Sequence, residues 1–369
     1  MKAQVVRVDV GEASYDVVIG PGALAEIGKR VSGVSRARKI ALVSDTNVAD
    51  LFGARVGASL VTAGFDVFPL SVSPGEQSKS WQVAGELLEA LAHLSLDRHD
   101  LVVALGGGVI GDLAGFVAAT YLRGIDFVQV PTTLLAQVDS SVGGKTGVDL
   151  SAGKNLVGAF KQPRLVVADT DTLVSLPETE WASGMAEVAK SAVIGGEEFL
   201  RWLEANAGGL RRRVNCVTAD TVDQCVRFKS GIVRSDERED GVRECLNYGH
   251  TLGHAIEKVA GYGVVPHGIA VAEGMRFAAR LSVEAGNGSV EFVRRQDGLL
   301  DDMGLPAMDV AFEADRILEA MYSDKKARGG KVRFVLADAP GLWRCEPIAD
   351  AMIREHLTAW AESKRRAER

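Results

Sequence analysis

This sequence has few cysteines and no net positive charge. Its four cysteines, Cys216, Cys225, Cys245 and Cys345, show no Cys-x-x-Cys spacing among 369 residues, so the chain carries no redox or metal motif of that kind. The net charge is −7 and the pI is near 5.5, which argues against a general nucleic-acid-binding surface. Met1 is followed by a charged, alternating stretch instead of an apolar signal core. A reducing cytoplasm and small-molecule partners are therefore expected.

A long uninterrupted hydrophobic segment is also missing. The nearest to one is LVVALGGGVIGDLAGFVAATYL, residues 101–122, whose glycines four apart are also found in membrane-helix dimers. Three consecutive glycines would break a helix there, Asp112 lies at its centre, and charged residues immediately precede it. The segment is predicted to be a strand, a glycine turn and a helix, so no membrane span is expected.

The order of predicted elements indicates two domains. Hydrophobic residues make up 47% and charged residues 25% of a chain that is long enough to form two cores. An opening hairpin (QVVRVDV, YDVVIG) precedes the strands KIALVSD, FDVFPLSV, DLVVALGGG, FVQVPTT and RLVVAD, most of them separated by helical stretches. From about residue 178 the pattern turns helical, with no convincing strand before KVRFVLAD. We predict an α/β domain with a mostly parallel, Rossmann-like sheet over residues 1–177 and an all-α domain over 178–369.

Polar or glycine-rich motifs follow four of the predicted parallel strands. Asp45 follows KIALVS, the PGEQSK run (74–79) follows FPLSV, the GGG turn (106–108) follows LVVAL, and Thr132 and Thr133 follow FVQVP. Open α/β sheets bind ligands at the carboxyl ends of their strands. A nucleotide site is therefore predicted at this edge.

The glycine turn predicts a pyrophosphate site in particular. Its unhindered backbone N–H groups, and the positive end of a helix starting near Ile110, would face an anion. The turn does not match the Gly-x-Gly-x-x-Gly fingerprint, however, and glycines also serve plain tight turns. An acidic residue such as Asp45 or Glu76 suits ribose hydroxyls and favours NAD, although each also suits a helix cap.

Three of the six histidines fall between residues 250 and 267. His250 and His254 are one helical turn apart, with Cβ atoms about 5–6 Å from each other, and His267 follows in a Pro-His-Gly turn. Two histidines and one carboxylate would suffice for a catalytic zinc or a related metal. The candidate carboxylate is Glu187, which shares an apolar helix face with Lys190. The alternatives are a buried Glu187–Lys190 ion pair and hydrogen-bonded helix histidines.

A glycine- and serine-rich stretch, residues 139–160, contains Asp139, Lys145, Lys154 and Asn155. Loops with this mixture usually hold ligands, so a binding loop is predicted, although ordinary surface loops also carry lysines. The runs at 211–213 (RRR) and 362–369 (ESKRRAER) are expected to be solvated charge.

Together the motifs resemble one family, the 3-dehydroquinate synthases, which are NAD-dependent cyclising enzymes of the shikimate pathway. The resemblance covers nearly the whole chain and rests on GGGVIGDLAGFVAATYLRG, VPTTLLAQVDSSVGGKTGVD, AGKNLVGAF, GMAEVAK, SDERE, LNYGHTLGHAIE and HGIAVAEGM, in the family's order. The most visible departures are Tyr248 and Ala189, where more apolar residues are expected.

The resemblance also implies roles for individual residues. It makes Glu187, His250 and His267 the ligands of one divalent metal ion, zinc or cobalt, and leaves His254 for the substrate. NAD contacts are implied for Asp45, Glu76, Lys79, Gly107, Gly108, Val109, Ile110, Gly111, Asp112, Thr132, Thr133, Lys145, Lys154, Thr172 and Leu173. Substrate contacts are implied for Arg123, Asp139, Lys145, Asn155, Lys190, Lys229, Arg243, Asn247, His254 and Lys326, the last not distinguished from Lys325.

The reaction that the resemblance implies converts the sugar phosphate 3-deoxy-D-arabino-heptulosonate 7-phosphate to 3-dehydroquinate and phosphate. NAD accepts the C5 hydride, phosphate leaves by β-elimination, the hydride returns, and ring opening with an aldol addition closes the carbocycle. A homodimer is expected. Two other functions stay open at this point, another sugar phosphate cyclase and a metal-dependent NAD polyol dehydrogenase, which would accumulate NADH.

Overall fold

Two compact units make up the chain in this computed structural model, which describes residues 3–261, 263–310, 312–322 and 331–367. The first unit comprises Met1–Leu176 and Thr218–Arg238, and the second comprises Pro177–Val217 and Glu239–Arg369. Within the described residues, no helix is long and apolar enough to span a membrane. The apolar segment 101–122 instead forms a strand and a helix, as predicted.

A seven-stranded sheet organises the first unit. The strands of this unit are β1 (Gln4–Val8), β2 (Tyr15–Ile19), β3 (Lys39–Asp45), β4 (Asp66–Val72), β5 (Leu101–Gly106), β6 (Asp126–Pro131), β7 (Lys145–Leu150), β8 (Gly153–Phe160) and β9 (Leu165–Ala168). In the large sheet the order is β1-β2-β9-β6-β5-β3-β4, in which only β1 and β2 pair antiparallel. Every residue of β5 and β9 is buried, as expected for parallel strands covered on both faces. The predicted hairpin and parallel strands are confirmed.

Helices cover both faces of this sheet. They are α1 (Ile27–Val34), α2 (Thr46–Val48), α3 (Ala54–Thr62), α4 (Trp81–His93) and α5 (Gly108–Thr120). Apolar residues of α1 and α3 share one buried cluster, whereas those of α4 and α5 belong to another. The chain after β3 and the chain after β5 therefore turn to opposite faces. Neighbouring strands that diverge in this way leave a crevice at their carboxyl ends, where α/β sheets bind ligands.

The predicted binding loop over residues 139–160 contains an antiparallel hairpin of β7 and β8. Gly147 and Gly158 face each other closely in it: a Cβ on Gly147 would lie 2.7 Å from Val157 O, and one on Gly158 would lie 2.4 Å from Thr146 O. The glycines are therefore required where the two strands approach. The glycine-rich composition of this stretch therefore reflects close strand pairing and not an irregular loop.

The second unit is mainly helical. Its elements, with one helix that begins in it and continues in the first unit, are α6 (Glu178–Gly195), α7 (Glu197–Arg211), α8 (Asn215–Ser235), α9 (His250–Ala260), α10 (His267–Glu284), α11 (Val290–Asp302), α12 (Ala314–Tyr322), β10 (Arg333–Ala339), β11 (Leu342–Pro347) and α13 (Asp350–Ala367). The predicted fold class is confirmed with one addition. The KVRFVLAD strand pairs antiparallel with β11, whose half-buried LWRCEP sequence shows no clear alternation.

Most of α8 groups with the first unit, whereas the predicted division at residue 177 placed it in the second half. Gln4 Nε2 donates to Asp220 Oδ1 at 3.1 Å, and Gln162 Nε2 donates to Glu237 Oε1 at 2.9 Å. An amphipathic pattern shows that one face of a helix is buried, but it does not show which part of the chain covers that face. The cofactor and metal roles given to the two halves stay predictions.

Candidate metal centre and cofactor-binding edge

Two glycines of α10 allow it to approach its neighbours closely. A Cβ on Gly268 would lie 2.4 Å from the Cα of Ser183 on α6, and a Cβ on Gly274 would lie 1.8 Å from Gly249 O, just before α9. No side chain fits at either contact. The first residues of α9 and α10 are consequently held beside the middle of α6.

Those first residues are His250 and His267, and both face Glu187 of α6. His250 Nε2 lies 3.4 Å from Glu187 Oε1, and His267 Nε2 lies 3.6 Å from the same oxygen. The two imidazole centroids are 5.5 Å apart. One ligand atom from each of the three side chains falls within 4.8 Å of the others, so a single cation can reach all of them.

Hydrogen bonds on the far side of each ring determine which nitrogen faces Glu187 with a lone pair. His250 Nδ1 lies 3.1 Å from Tyr248 O, and His267 Nδ1 lies 3.1 Å from Glu257 Oε2. Both partners are acceptors, so for the neutral rings that would bind a metal ion we assign the proton to Nδ1, where it is donated, and a lone pair to Nε2. Two nitrogen lone pairs and a carboxylate oxygen that face one another are suited to a zinc or cobalt ion.

The charges around the cluster also favour a cation. In the absence of a metal ion, burial lowers the pKa of His267, but hydrogen bonds and charge from Glu187 and Glu257 outweigh it and raise the pKa to about 9, so the ring then carries a second proton, which a bound ion would replace. Burial alone would raise the pKa of Glu187, yet Lys190 and His250 hold it well below its usual range, so Glu187 is a carboxylate. The site therefore attracts positive charge, which a divalent ion supplies.

Glu187 and Lys190 also form the buried ion pair that was the alternative interpretation of this helix. Both interpretations of Glu187 are therefore compatible, since one carboxylate oxygen contacts Lys190 and the other faces the histidines. Arg243 is buried as well, and Asn247 Nδ2 donates to Glu239 Oε1 at 2.9 Å. The His254 ring lies 5.3 Å from that of His250, centroid to centroid.

Other predicted substrate residues lie in the first unit. Buried Lys229 of α8 pairs with Asp139, with its Nζ 2.8 Å from Oδ1 and 2.6 Å from the backbone oxygen. Arg123 is exposed and has a left-handed backbone (φ 68°), an uncommon conformation for a residue other than glycine. Lys145 begins β7, and Asn155 N donates to Asp149 Oδ1 at 2.7 Å. Lys325 and Lys326 lie outside the described residues.

Charged residues form two pairs at the predicted NAD edge of the first unit. Lys79 Nζ lies 2.5 Å from Asp112 Oδ2, and Lys154 Nζ lies 3.5 Å from Glu76 Oε1. Burial raises the pKa of Asp112 against the opposing effect of Lys79. The PGEQSK motif and the GVIGD turn, which are far apart in sequence, are thus brought together.

Asp45 and the glycine turn have structural roles at this edge in addition to the predicted ones. Asp45 Oδ1 accepts a hydrogen bond from Val48 N at 3.0 Å and so caps α2, which was its alternative role. Gly107 is the N-cap of α5, and a Cβ there would lie 2.9 Å from Thr133 Cγ2. Ribose and pyrophosphate contacts at these residues stay predictions.

The remaining predicted NAD residues lie around the same strand ends. Thr133 Oγ1 accepts from Ala136 N at 3.1 Å, and the buried Thr172 hydroxyl donates to Asp169 O at 2.7 Å. Thr132 and Leu173 are buried. Gly108, Val109, Ile110, Gly111 and Asp112 form the first turns of α5.

Two carboxylates beside the candidate site residues were missed from sequence. Glu239 holds Asn247, and nothing in its sequence surroundings distinguishes it from the other acidic residues of SDERED. Glu257 holds His267, and a signal for it existed. It lies seven residues after His250 and three after His254, which places all three on one face of a helix.

Family models match most of the chain. Residues 69–183 match the model described as 3-dehydroquinate synthase N-terminal, and residues 184–327 match the model described as 3-dehydroquinate synthase C-terminal. The chain belongs to the 3-dehydroquinate synthase family. The family uses NAD and a divalent metal ion.

Curated relatives carry the same family name. A 3-dehydroquinate synthase of Caulobacter vibrioides is 49% identical over 91% of this chain and 93% of its own. One from Pelobacter propionicus is 46% identical over 90% of this chain and 92% of its own.

Solved structures of related cyclases are similar along almost the whole chain. A 2-deoxy-scyllo-inosose synthase complexed with carbaglucose-6-phosphate, NAD+ and Co2+ is 26% identical, with 96% of this chain and 99% of that one covered and a TM-score of 0.85. A 2-epi-5-epi-valiolone synthase from Streptomyces hygroscopicus with NAD+ and Zn2+ bound is 25% identical, with the same coverage and a TM-score of 0.86.

Proposed function

We propose that this protein converts 3-deoxy-D-arabino-heptulosonate 7-phosphate to 3-dehydroquinate and phosphate, with NAD reduced and reoxidised in every cycle. The observation that carries the proposal is the convergence of His250 Nε2 and His267 Nε2 on Glu187 Oε1. This occurs in a chain whose relatives, at 43–49% identity, are named for that activity.

Glu187, His250 and His267 are proposed to hold the metal ion, which when bound favours loss of a proton from a substrate hydroxyl. Three protein ligands leave room for such a hydroxyl at a catalytic site. The protein's own part is to orient the ligands. Tyr248 O and Glu257 fix the two imidazoles, and Lys190 compensates the charge of the Glu187 carboxylate.

The basic residues are proposed to bind the two anionic groups of the substrate. Its carboxylate and phosphate carry a charge of about −2.5 to −3 near neutral pH. An acidic protein must therefore concentrate cations locally. Arg243 is suited to grip an oxyanion through two donors, and His254 is proposed to exchange protons with the substrate. The others proposed are Arg123, Lys145, Lys190, Lys229 and Lys326, with Asp139, Asn155 and Asn247 as uncharged or acidic partners of the hydroxyls.

The carboxyl ends of β3, β4, β5, β6 and β9, together with the β7–β8 hairpin, are proposed to bind NAD. Support comes from the change of sheet face between β3 and β5, and from the N-terminus of α5 at the end of β5. The residues proposed are those named at this edge above, from Asp45 to Leu173.

The direct test combines purified, metal-loaded protein with 3-deoxy-D-arabino-heptulosonate 7-phosphate and a trace of NAD. Phosphate release and NADH absorbance are then followed together. We expect many phosphates per NAD without lasting NADH, and no phosphate from the His250→Ala variant. Absence of phosphate on this substrate would reject the proposal. Release from another sugar phosphate would identify a related cyclase, and steady NADH with polyols a dehydrogenase.

A homodimer in the cytoplasm is proposed from the family resemblance. None of the four cysteines forms a disulfide in the structure, which suits a reducing compartment. Light scattering at working concentration should give twice the mass of one chain. A monomer mass would reject the dimer.

A further inference from the structure

Glu257 is a buried carboxylate on the same face of α9 as His250 and His254. Its side chain is 6% exposed, and it follows Ala255 and Ile256, which are buried apolar residues. A carboxylate in such a place needs a partner, because the loss of hydration is costly. One partner in the structure is His267 Nδ1, at 3.1 Å from Glu257 Oε2.

The two candidate histidine ligands are supported in different ways. His250 Nδ1 faces a backbone carbonyl, which fixes the ring and its tautomer but carries no charge. His267 Nδ1 faces a full negative charge. A carboxylate in this position makes the opposite ring nitrogen more basic and holds it in one direction, which strengthens a metal bond.

A second grouping of side chains must be weighed against this arrangement. His254, Glu257 and His267 also place ligand atoms within 4.8 Å of one another, so Glu257 could itself be a metal ligand. Metal binding through the same Glu257 oxygen that contacts His267 Nδ1 would break that hydrogen bond. His250, which lies 3.4 Å from Glu187 Oε1 and belongs only to the first grouping, would then be left outside the metal site.

We propose that Glu257 is a positioning residue of the metal centre, which raises the affinity for the divalent ion by holding His267 and does not bind the ion itself. The inference rests on the ligand set proposed above. It adds that a residue outside that set accounts for the different support of the two histidines, and that this residue increases the affinity of the site for the metal ion.

The test is a metal titration of the full-length chain without substrate. After removal of bound metal, the dissociation constant for Zn2+ is measured by competition with a chromophoric chelator, and the visible spectrum is recorded with Co2+. Glu257→Gln keeps an acceptor for His267 and removes the charge. We expect its dissociation constant to rise by about tenfold, and that of Glu257→Ala by up to about a hundredfold. The intensity of the Co2+ absorption bands depends on the coordination number, and we expect it to stay as in the wild-type protein.

Glu273→Gln provides a matched control in the same unit. Glu273 is equally buried, accepts hydrogen bonds from Trp360 Nε1 and Met308 N, and pairs with Lys364 at 2.6 Å, with no histidine among these partners. Loss of this carboxylate should lower the melting temperature and leave the Zn2+ dissociation constant unchanged. A change in metal affinity that merely follows lost stability would appear in this control as well, and would overturn the proposal.

Two further results would overturn it. Wild-type affinity in both Glu257 variants would show that the residue only fills space, and a changed coordination number with Co2+ in Glu257→Gln would make it a ligand. The metal titration uses no substrate, so it does not depend on the proposed reaction. If the wild-type protein failed to release phosphate in the separate activity test, the proposed reaction would be rejected but the role of Glu257 would stand.

Discussion

Glu187 and Lys190, three residues apart on α6, form an ion pair in which each side chain is only 2% exposed. The other oxygen of the same carboxylate faces two imidazoles. Glu187 therefore has two sources of positive charge available, the lysine and a metal ion. Such an arrangement lets one helix serve the fold and the site at the same time.

Lys190→Met is expected to destabilise the metal-free protein by about 3–5 kcal/mol, because it leaves Glu187 buried without its lysine. Zinc should recover part of that loss, since the ion then compensates the carboxylate. Urea unfolding with and without zinc measures both effects. Lys258→Met, on the exposed side of α9, is the control and should change stability by less than about 0.5 kcal/mol. Equal losses with and without zinc would contradict this account of Glu187.

His250→Ala should abolish both metal content and turnover, because it removes one of three proposed ligands. His254→Ala should keep the metal and lose rate, since the ring lies beside the cluster and its proposed role is toward the substrate. Metal analysis of both purified variants, with phosphate-release rates, separates the two roles. A His254→Ala protein without metal would contradict the ligand assignment and favour the grouping with Glu257.

The strands and the histidine cluster were predictable because their signals are local. The runs that form β3, β5 and β9 are apolar and bounded by turn residues, and His250 and His254 show their common face by spacing alone. The same holds for Glu187 and Lys190. In each case one short segment contains the whole pattern.

Features that need a partner from elsewhere in the chain were not predictable in this way. Lys229 lies beside Asp139, 90 residues earlier, and no local pattern connects them. The β7–β8 hairpin was missed because its glycines serve close strand pairing but have the composition of a loop. Glu257 is an intermediate case. Its position on the histidine face of α9 could be predicted from the sequence spacing, but its hydrogen bond to His267, the first residue of α10, could not.

Tyr248→Phe tests the departure from the family pattern just before His250. The buried Tyr248 hydroxyl donates to Gln296 Oε1 at 2.6 Å, so its removal leaves a buried acceptor without that donor. We expect a loss of about 1–3 kcal/mol in the free energy of unfolding. Metal affinity should not change, because His250 is held by the backbone carbonyl of this residue. Weaker zinc binding in Tyr248→Phe would show that the side chain also supports the ligand.

Gly274→Ala tests whether close helix packing builds the metal centre. The new Cβ would lie 1.8 Å from Gly249 O, and backbone atoms there cannot move aside without shifting the start of α9, which carries His250. Overpacking of this kind costs about 1–3 kcal/mol, and we expect weaker zinc binding in addition.

Gly298→Ala is the matched control for that substitution. Gly298 also lies within a helix, α11, but a Cβ there would meet nothing within 4 Å. Alanine is favoured over glycine in a helix by up to about 1 kcal/mol, so this variant should be slightly more stable than the wild type and bind zinc equally well. The same glycine-to-alanine change is thus expected to change the free energy of unfolding in opposite directions in the two variants, and to weaken zinc binding only in Gly274→Ala. Unfolding and zinc titration of both variants measure these effects. If Gly274→Ala kept wild-type zinc affinity, the ligands would have to be positioned by contacts other than the approach of α10 to the start of α9.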